Sequence, residues 1–398
     1  MGASPLTDES ETIRLIDRIR QSLRERNQVS ATFFPRESGR LAEASQAMAE
    51  RFLKGGRLLA FGRDHSATDA QHVAVEFVHP VIVGKRALPA LDLSLSPRAW
   101  TAALVRPDDM VMGFGPPGGD PEVDAVLRAA REKGAMTFAL PGREGDYAVA
   151  APSSDPFIDQ EMIEILYHTL WETVHVFFEH RELGHEVGAS GFLYPFLGQE
   201  KQDTRGVLAE VAASIEMKAR DDEALRERIA AEQAEAIVGA AAAIRDRLRA
   251  GGTLLIFGNG GSATDANDWA LDCAVPLKDF PPIPAISLAS EPASLSAVAN
   301  DIGVEAVFLR QLIAQARPQD VAVGISTSGG SANVIAALGE ARKRGLLTVA
   351  LLGYDGGEIA RRGLADHTLV VPCDYIPRIQ EVQASVYHVM LEVLGGML

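Results

Sequence analysis

Two short stretches of the 398-residue sequence combine glycine with hydroxyl side chains in the way an anion site requires. In LLIFGNGGSATDAND (254–268), Gly258, Asn259, Gly260 and Gly261 separate an apolar run from a helical pattern, and Ser262 stands near the helix start. Backbone N–H groups of such a loop can approach an anion with no Cβ in the way. In GISTSGGSANVIAAL (324–338), Ser326, Thr327, Ser328 and Ser331 surround a glycine pair at a second junction of the same kind. Hydroxyls and two helix N-termini converging on one anion would hold a phosphomonoester without Lys or Arg. Helix capping alone is the commonest use of Ser and Thr in one such turn. Two of them at the carboxyl ends of strands in one sheet favour a ligand site, because that is where open α/β folds bind. A dinucleotide fits less well: GNGGSATDA is not G-x-G-x-x-G, and no acidic residue stands placed for a ribose.

The elements that must position these turns occur twice. GGRLLAFGRDHSATDA (55–70) returns as GGTLLIFGNGGSATDA (251–266) at a shift of 196. RPDDMVMGFGPPGG (106–119) pairs with RPQDVAVGISTSGG (317–330) at a shift of 211, and Gln160 and His168 pair with Gln380 and His388 at 220. A growing shift means copies that differ by loop insertions, hence a duplication. Each copy reads as a helical arm, then short apolar runs that end in Gly-rich turns and helices, then a long closing helix, the pattern of a doubly wound parallel α/β sheet. The mixed segment 188–206 suits a linker, and the boundary is expected near residue 198, giving domains 1–197 and 198–398.

Composition narrows the class. Hydrophobic residues make up 47% and charged residues 23%, ample for packed cores. A net charge of -16 argues against nucleic acid, which is bound by neutralising phosphates with Lys and Arg. Two cysteines make neither a disulfide framework nor a zinc–thiolate cluster. With no signal-like N-terminus and no apolar run of spanning length, the chain is expected to be soluble, cytoplasmic and free of membrane partners.

The motifs GNGGSATDA, AVANDIG (297–303), RPQDVAVGISTSGGSANV (317–334) and RIQEVQASVYH (378–388) resemble the phosphoheptose isomerase family of sugar isomerase (SIS) domains. The resemblance implies two tandem SIS domains, each a Rossmann-like parallel sheet flanked by helices in three αβα layers. It also implies conversion of sedoheptulose 7-phosphate to an aldoheptose 7-phosphate, with a divalent metal, zinc by family habit. That family follows its glycine loop with a His and, four residues on, a Glu; its last helix carries a Gln and, eight on, a His. In the second copy Gln380 and His388 match, but Asp268 and Asp272 hold the other two places. In the first copy His72, Glu76, Gln160 and His168 all match, while Gly115, Pro116, Pro117 and Asp120 stand where the second copy has Ser326, Thr327, Ser328 and Ser331. A proline brings no N–H and an aspartate repels phosphate.

The losses are complementary, so the resemblance implies one composite inter-domain site and a homodimer of tandem chains with four SIS domains. His72, Glu76, Gln160 and His168 are then the metal set. Glu76 is the base and His168 the acid partner of an enediol isomerisation, with Gln380 and His388 as a reserve pair. An acidic residue that the family places three positions before the last-helix Gln is replaced by Phe157 and Pro377. The competing expectations are a sugar-phosphate-binding regulator without catalysis and a metal-free isomerase of amino sugars.

Overall fold

The computed structural model describes residues 9–80, 85–182 and 204–398. Its backbone falls into two compact units. The first comprises Gln28–Asp221, and the second joins the described residues up to Asn27 to Asp222–Leu398. The linker expected at 188–206 lies almost wholly, and the boundary near 198 entirely, outside the described residues.

In the first unit, β1 (Leu58–Phe61), β2 (Ala90–Asp92), β3 (Met110–Phe114), β4 (Met136–Leu140) and β5 (Tyr147–Ala148) form one parallel sheet in the order β2-β1-β3-β4-β5. The central strands β1 and β3 read as unbroken apolar runs because both faces are covered. Leu58, Ala60, Met110, Met112 and Phe138 enter a core with the helices Ser66–Val78 and Pro156–Glu182. Their neighbours Leu59, Phe61, Val111 and Ala139 enter a second core under the helix Pro121–Glu132. Alternate residues point to opposite faces, so this division is the expected three-layer arrangement.

The second unit repeats the plan. β6 (Leu254–Phe257), β7 (Ala285–Ser287), β8 (Val321–Ser326), β9 (Leu347–Gly353) and β10 (His367–Val371) pair in parallel in the order β10-β9-β8-β6-β7. Read from the other edge, the two orders are the same. From β6 the chain turns to the edge strand β7, and from β8 it turns the opposite way to β9. The loops leaving β6 and β8 therefore part at the carboxyl end of the sheet, which opens a crevice there. Both turns singled out from the sequence leave these two strands. No helix among the described residues is long and apolar enough to cross a membrane.

Candidate functional site

The two turns of the second unit that were expected to cradle an anion are held open by backbone geometry and tied across by side chains. Gly260 has φ +56, a conformation that side-chain-bearing residues rarely adopt, and a Cβ on Gly258 would stand 2.4 Å from the Ser262 carbonyl oxygen. In the other turn Gly329 has φ +59, and a Cβ there would meet the Gly356 carbonyl at 2.1 Å. Asn259 and Asn333 exchange amide hydrogen bonds of 2.9 and 2.8 Å, which staples the loop after β6 to the turn after β8. Ser326 and Ser331 hydroxyls lie 3.1 Å apart, and Ser328 accepts from the Gly330 N–H at 3.2 Å. Asn259, Gly260 and Ser328 are exposed, Thr327 and Ser331 half-buried, and Gly261, Ser262 and Ser326 buried, so the cradle has a solid floor and an open mouth. Asn333 is a member of the site that the sequence reading did not single out. Its position in the first turn of Ala332–Lys343, beside four hydroxyl residues, was the available signal.

In the first unit the matching turn is filled by an internal ion pair. Asp120 caps Pro121–Glu132 by accepting from the Glu122 N–H at 2.7 Å. Arg63, which aligns with Asn259, reaches the same carboxylate at 3.1 Å. A carboxylate at a helix N-terminus uses the donors and the favourable field that a phosphate would use.

That unit carries the expected metal set instead. His72 and Glu76 lie one turn apart on Ser66–Val78, with His72 Nε2 3.9 Å from Glu76 Oε1. His168, on Pro156–Glu182, places its Nε2 3.2 Å from that of His72. Tyr167 packs edge-on against both imidazoles. Gln160 lies two turns before His168 on the same helix and is half-buried. Donor atoms of His72, Glu164 and His168 all stand within 4.8 Å of one another, and all three residues are buried. Glu164 is therefore part of the cluster, and Glu172 follows it. Gln160, Glu164, His168 and Glu172 recur every four residues, a stripe on one helix face that was legible but unread. Lys218, on the part of helix Thr204–Glu232 that belongs to this unit, forms a buried ion pair with Glu172.

Burial and then the nearby Glu172 carboxylate push the Glu76 carboxyl up to about 8. Its Oε2 has no hydrogen-bond partner among the described residues. Two imidazole nitrogens this close need a proton or a cation between them. Donors about 2.1 Å from one tetrahedral ion lie roughly 3.4 Å apart, near the separation seen, so two imidazoles with adjacent carboxylates fit a zinc-like ion. In the second unit Gln380 and His388 are buried on Ile376–Met397, and His388 faces Asp268 and Asp272 rather than a His and a Glu.

A doubly wound parallel sheet with loops parting at its switch point, present twice, defines the class. The SIS domain family matches residues 23–142 and 219–353. A phosphoheptose isomerase of Chlorobaculum tepidum is 43% identical over 178 residues, covering 44% of this chain and 84% of that protein. One from a Roseiflexus species is 42% identical over 192 residues, covering 48% and 92%. The chain belongs to the phosphoheptose isomerase family of SIS domain proteins. The solved structure of tagatose-6-phosphate ketose/aldose isomerase from Escherichia coli covers 95% of this chain and 93% of its own at a TM-score of 0.57 and 12% identity, a likeness of fold. Two tandem units of this fold bear out the expected architecture.

Proposed function

We propose that the protein is a sugar-phosphate aldose–ketose isomerase acting on sedoheptulose 7-phosphate or a close analogue, in which each copy contributes a different half of one reaction site. The relatives named phosphoheptose isomerase support the reaction class. The observation that carries the division of labour is the pair Arg63–Asp120, which occupies the phosphate position of the unit that retains His72, Glu76 and His168. The other unit has the open cradle and lacks the His and Glu.

On this reading Asn259, Gly260, Gly261, Ser262, Ser326, Thr327, Ser328 and Ser331 bind the phosphate through N–H and hydroxyl donors. That anchor fixes the distance from the phosphate to the carbonyl end and supplies binding common to substrate and transition state. Glu76 takes the proton from the carbon beside the carbonyl and returns it to the neighbouring carbon. His168 gives a proton to the carbonyl oxygen as the enediol forms and takes one from the neighbouring hydroxyl as the new carbonyl forms. His72, Glu76, Gln160 and His168 would hold a divalent ion such as zinc, with Glu164 as a further donor. When bound, such an ion polarises the sugar oxygens. Gln380 and His388 remain the reserve pair, and a homodimer in the cytoplasm completes the reading.

Incubation of the zinc-loaded protein with sedoheptulose 7-phosphate tests it. Isomerisation that disappears in Glu76→Gln, with binding retained, is the expected result. Binding without turnover in the wild type would make the chain a sugar-phosphate-responsive regulator instead.

A further inference from the structure

Three arginines line one groove of the second unit, in a chain of net charge -16. The groove, of about 460 Å3, runs between the first part of helix Glu9–Leu53 and the end of helix Thr204–Glu232, and both stretches belong to that unit. Arg20, Leu23, Arg24 and Asn27 recur at helical spacing and so share one face of the first helix. Arg226 and Ala230 line the groove from the second. Among the described residues, the lining includes none from the two Gly/Ser turns or from the histidine clusters.

The groove has donors and an acceptor that the protein leaves unused. Arg226 is 0% exposed and so forms part of the floor. Its Nε donates to Ser385 Oγ at 2.9 Å, but Nη1 and Nη2 have no hydrogen-bond partner among the described residues. Asp222, one turn earlier, attracts this guanidinium without a hydrogen bond to it. Arg378 holds the Asp222 Oδ2 at 2.8 Å, and burial pushes that carboxyl well above its usual range, so it is a poor counterion. Asn27 Nδ2 donates to the Glu223 carbonyl at 2.9 Å, while its buried Oδ1 has no partner among the described residues. Arg20 donates from Nε to the Ala230 carbonyl at 3.3 Å, which ties the two helices, and its 3.5 Å pair with Asp17 is of the weak exposed kind. Arg20 and the exposed Arg24 are like charges one turn apart, an arrangement that opposes the helix until an anion bridges them. Against these three cations the lining sets one carboxylate, the exposed Glu227.

We propose that this groove binds a nucleoside monophosphate, with the phosphate on Arg20, Arg24 and Arg226 and the nucleoside against Leu23, Ala230 and Ala231. Guanidinium forks match phosphate oxygens, and the double charge of a phosphomonoester answers three of them better than a single carboxylate does. The volume falls in the range of small-molecule sites, about 300–1,000 Å3, and exceeds what a bare anion fills. Small apolar side chains and guanidinium planes suit a flat ring, and Asn27 Oδ1 accepts from an amino or hydroxyl group of the nucleoside. A polyhydroxy sugar finds few partners on such a wall, so this ligand differs in chemistry from the one expected at the Gly/Ser turns.

The site does not depend on the isomerase reading, and binding alone tests it. Full-length protein is titrated calorimetrically with adenosine monophosphate. One saturable site per chain is expected, unaffected by Ser326→Ala with Ser328→Ala. Arg24→Ala and Arg226→Met should each weaken it at least about tenfold, the usual worth of a hydrogen bond to a charged group. Arg24 is exposed, so its loss leaves the fold intact if Arg226→Met does not. Inorganic phosphate, which lacks the ring, should bind this site at least about tenfold more weakly. Phenylglyoxal labelling mapped by mass spectrometry needs no variant: the nucleotide should protect Arg20 and Arg24. No saturable binding, binding unchanged in both arginine variants, equal affinity for inorganic phosphate, or failure to protect Arg20 and Arg24 would overturn the proposal.

Discussion

The Nε2 atoms of His72 and His168 stand 3.2 Å apart in the buried interior of the first unit, although 96 positions separate them in the chain. Helix Ser66–Val78, which follows β1, and the long helix Pro156–Glu182 pack on the same core and bring them together. Beside them lies the Glu76 carboxyl, pushed up to about 8 by burial and the nearby Glu172 carboxylate.

Replacing Glu76 by Gln removes that group with little change of shape. Turnover is expected to fall by about 10²–10⁴-fold, the usual contribution of a positioned base. Calorimetric titration with the phosphosugar should give an affinity within about threefold of wild type. A variant that loses binding and turnover together would assign Glu76 to substrate anchoring.

Ser326→Ala with Ser328→Ala removes two hydroxyls from the cradle. Hydrogen bonds to a charged partner contribute about 1.5–3 kcal/mol each. Steady-state kinetics should show KM raised at least about tenfold with kcat nearly unchanged, because the phosphate does not change during the reaction.

The Arg63–Asp120 pair makes the opposite expectation. Its arginine is about half exposed, and such pairs contribute about 0–1 kcal/mol. Asp120→Ser keeps a capping oxygen, so both thermal stability and KM should stay close to wild type. A lowered KM would show that the first unit's turn takes part in phosphate binding after all.

Glu76 also predicts a pH dependence of stability in chelator-treated protein. Its folded pKa of about 8 exceeds the ordinary 4.5. Between those values the folded state holds a proton that the unfolded chain has released, so stability is fully present below 4.5 and falls as pH rises towards 8. The slope is at most about 1.4 kcal/mol per pH unit. Thermal midpoints at pH 5 and pH 8 should differ more for the wild type than for Glu76→Gln; equal differences would remove Glu76 as the cause.

Lys218→Met should be more damaging, since it leaves the buried Glu172 carboxylate without its partner. Breaking such a pair costs about 3–5 kcal/mol. The added change Glu172→Gln should recover part of the lost melting temperature, as the orphaned charge is then gone.

Much of this was legible in the sequence, for identifiable reasons. Strands such as VAVGIS (321–326) announce themselves because burial on both faces leaves no polar position before the closing Ser326, and Gly260 marks a turn that needs positive φ. The repeat made the aligned losses visible. Other features depend on tertiary choices that periodicity does not encode. The arm Glu9–Leu53 is divided between the units after Asn27, and an amphipathic stripe does not say which core it will join. Lys218 is an unremarkable charge until its helix packs against Glu172. Asp268 and Asp272 look like losses when compared with His72 and Glu76, and become a cluster only when His388 is brought between them.

The decisive measurement follows zinc-loaded protein and sedoheptulose 7-phosphate in D2O by NMR. Accumulation of an aldoheptose 7-phosphate with solvent deuterium at the carbon beside the carbonyl, lost in Glu76→Gln and impaired in Ser326→Ala with Ser328→Ala, is the expected result. Saturable binding of the sugar with neither isomerisation nor deuterium exchange in the wild type would contradict the account.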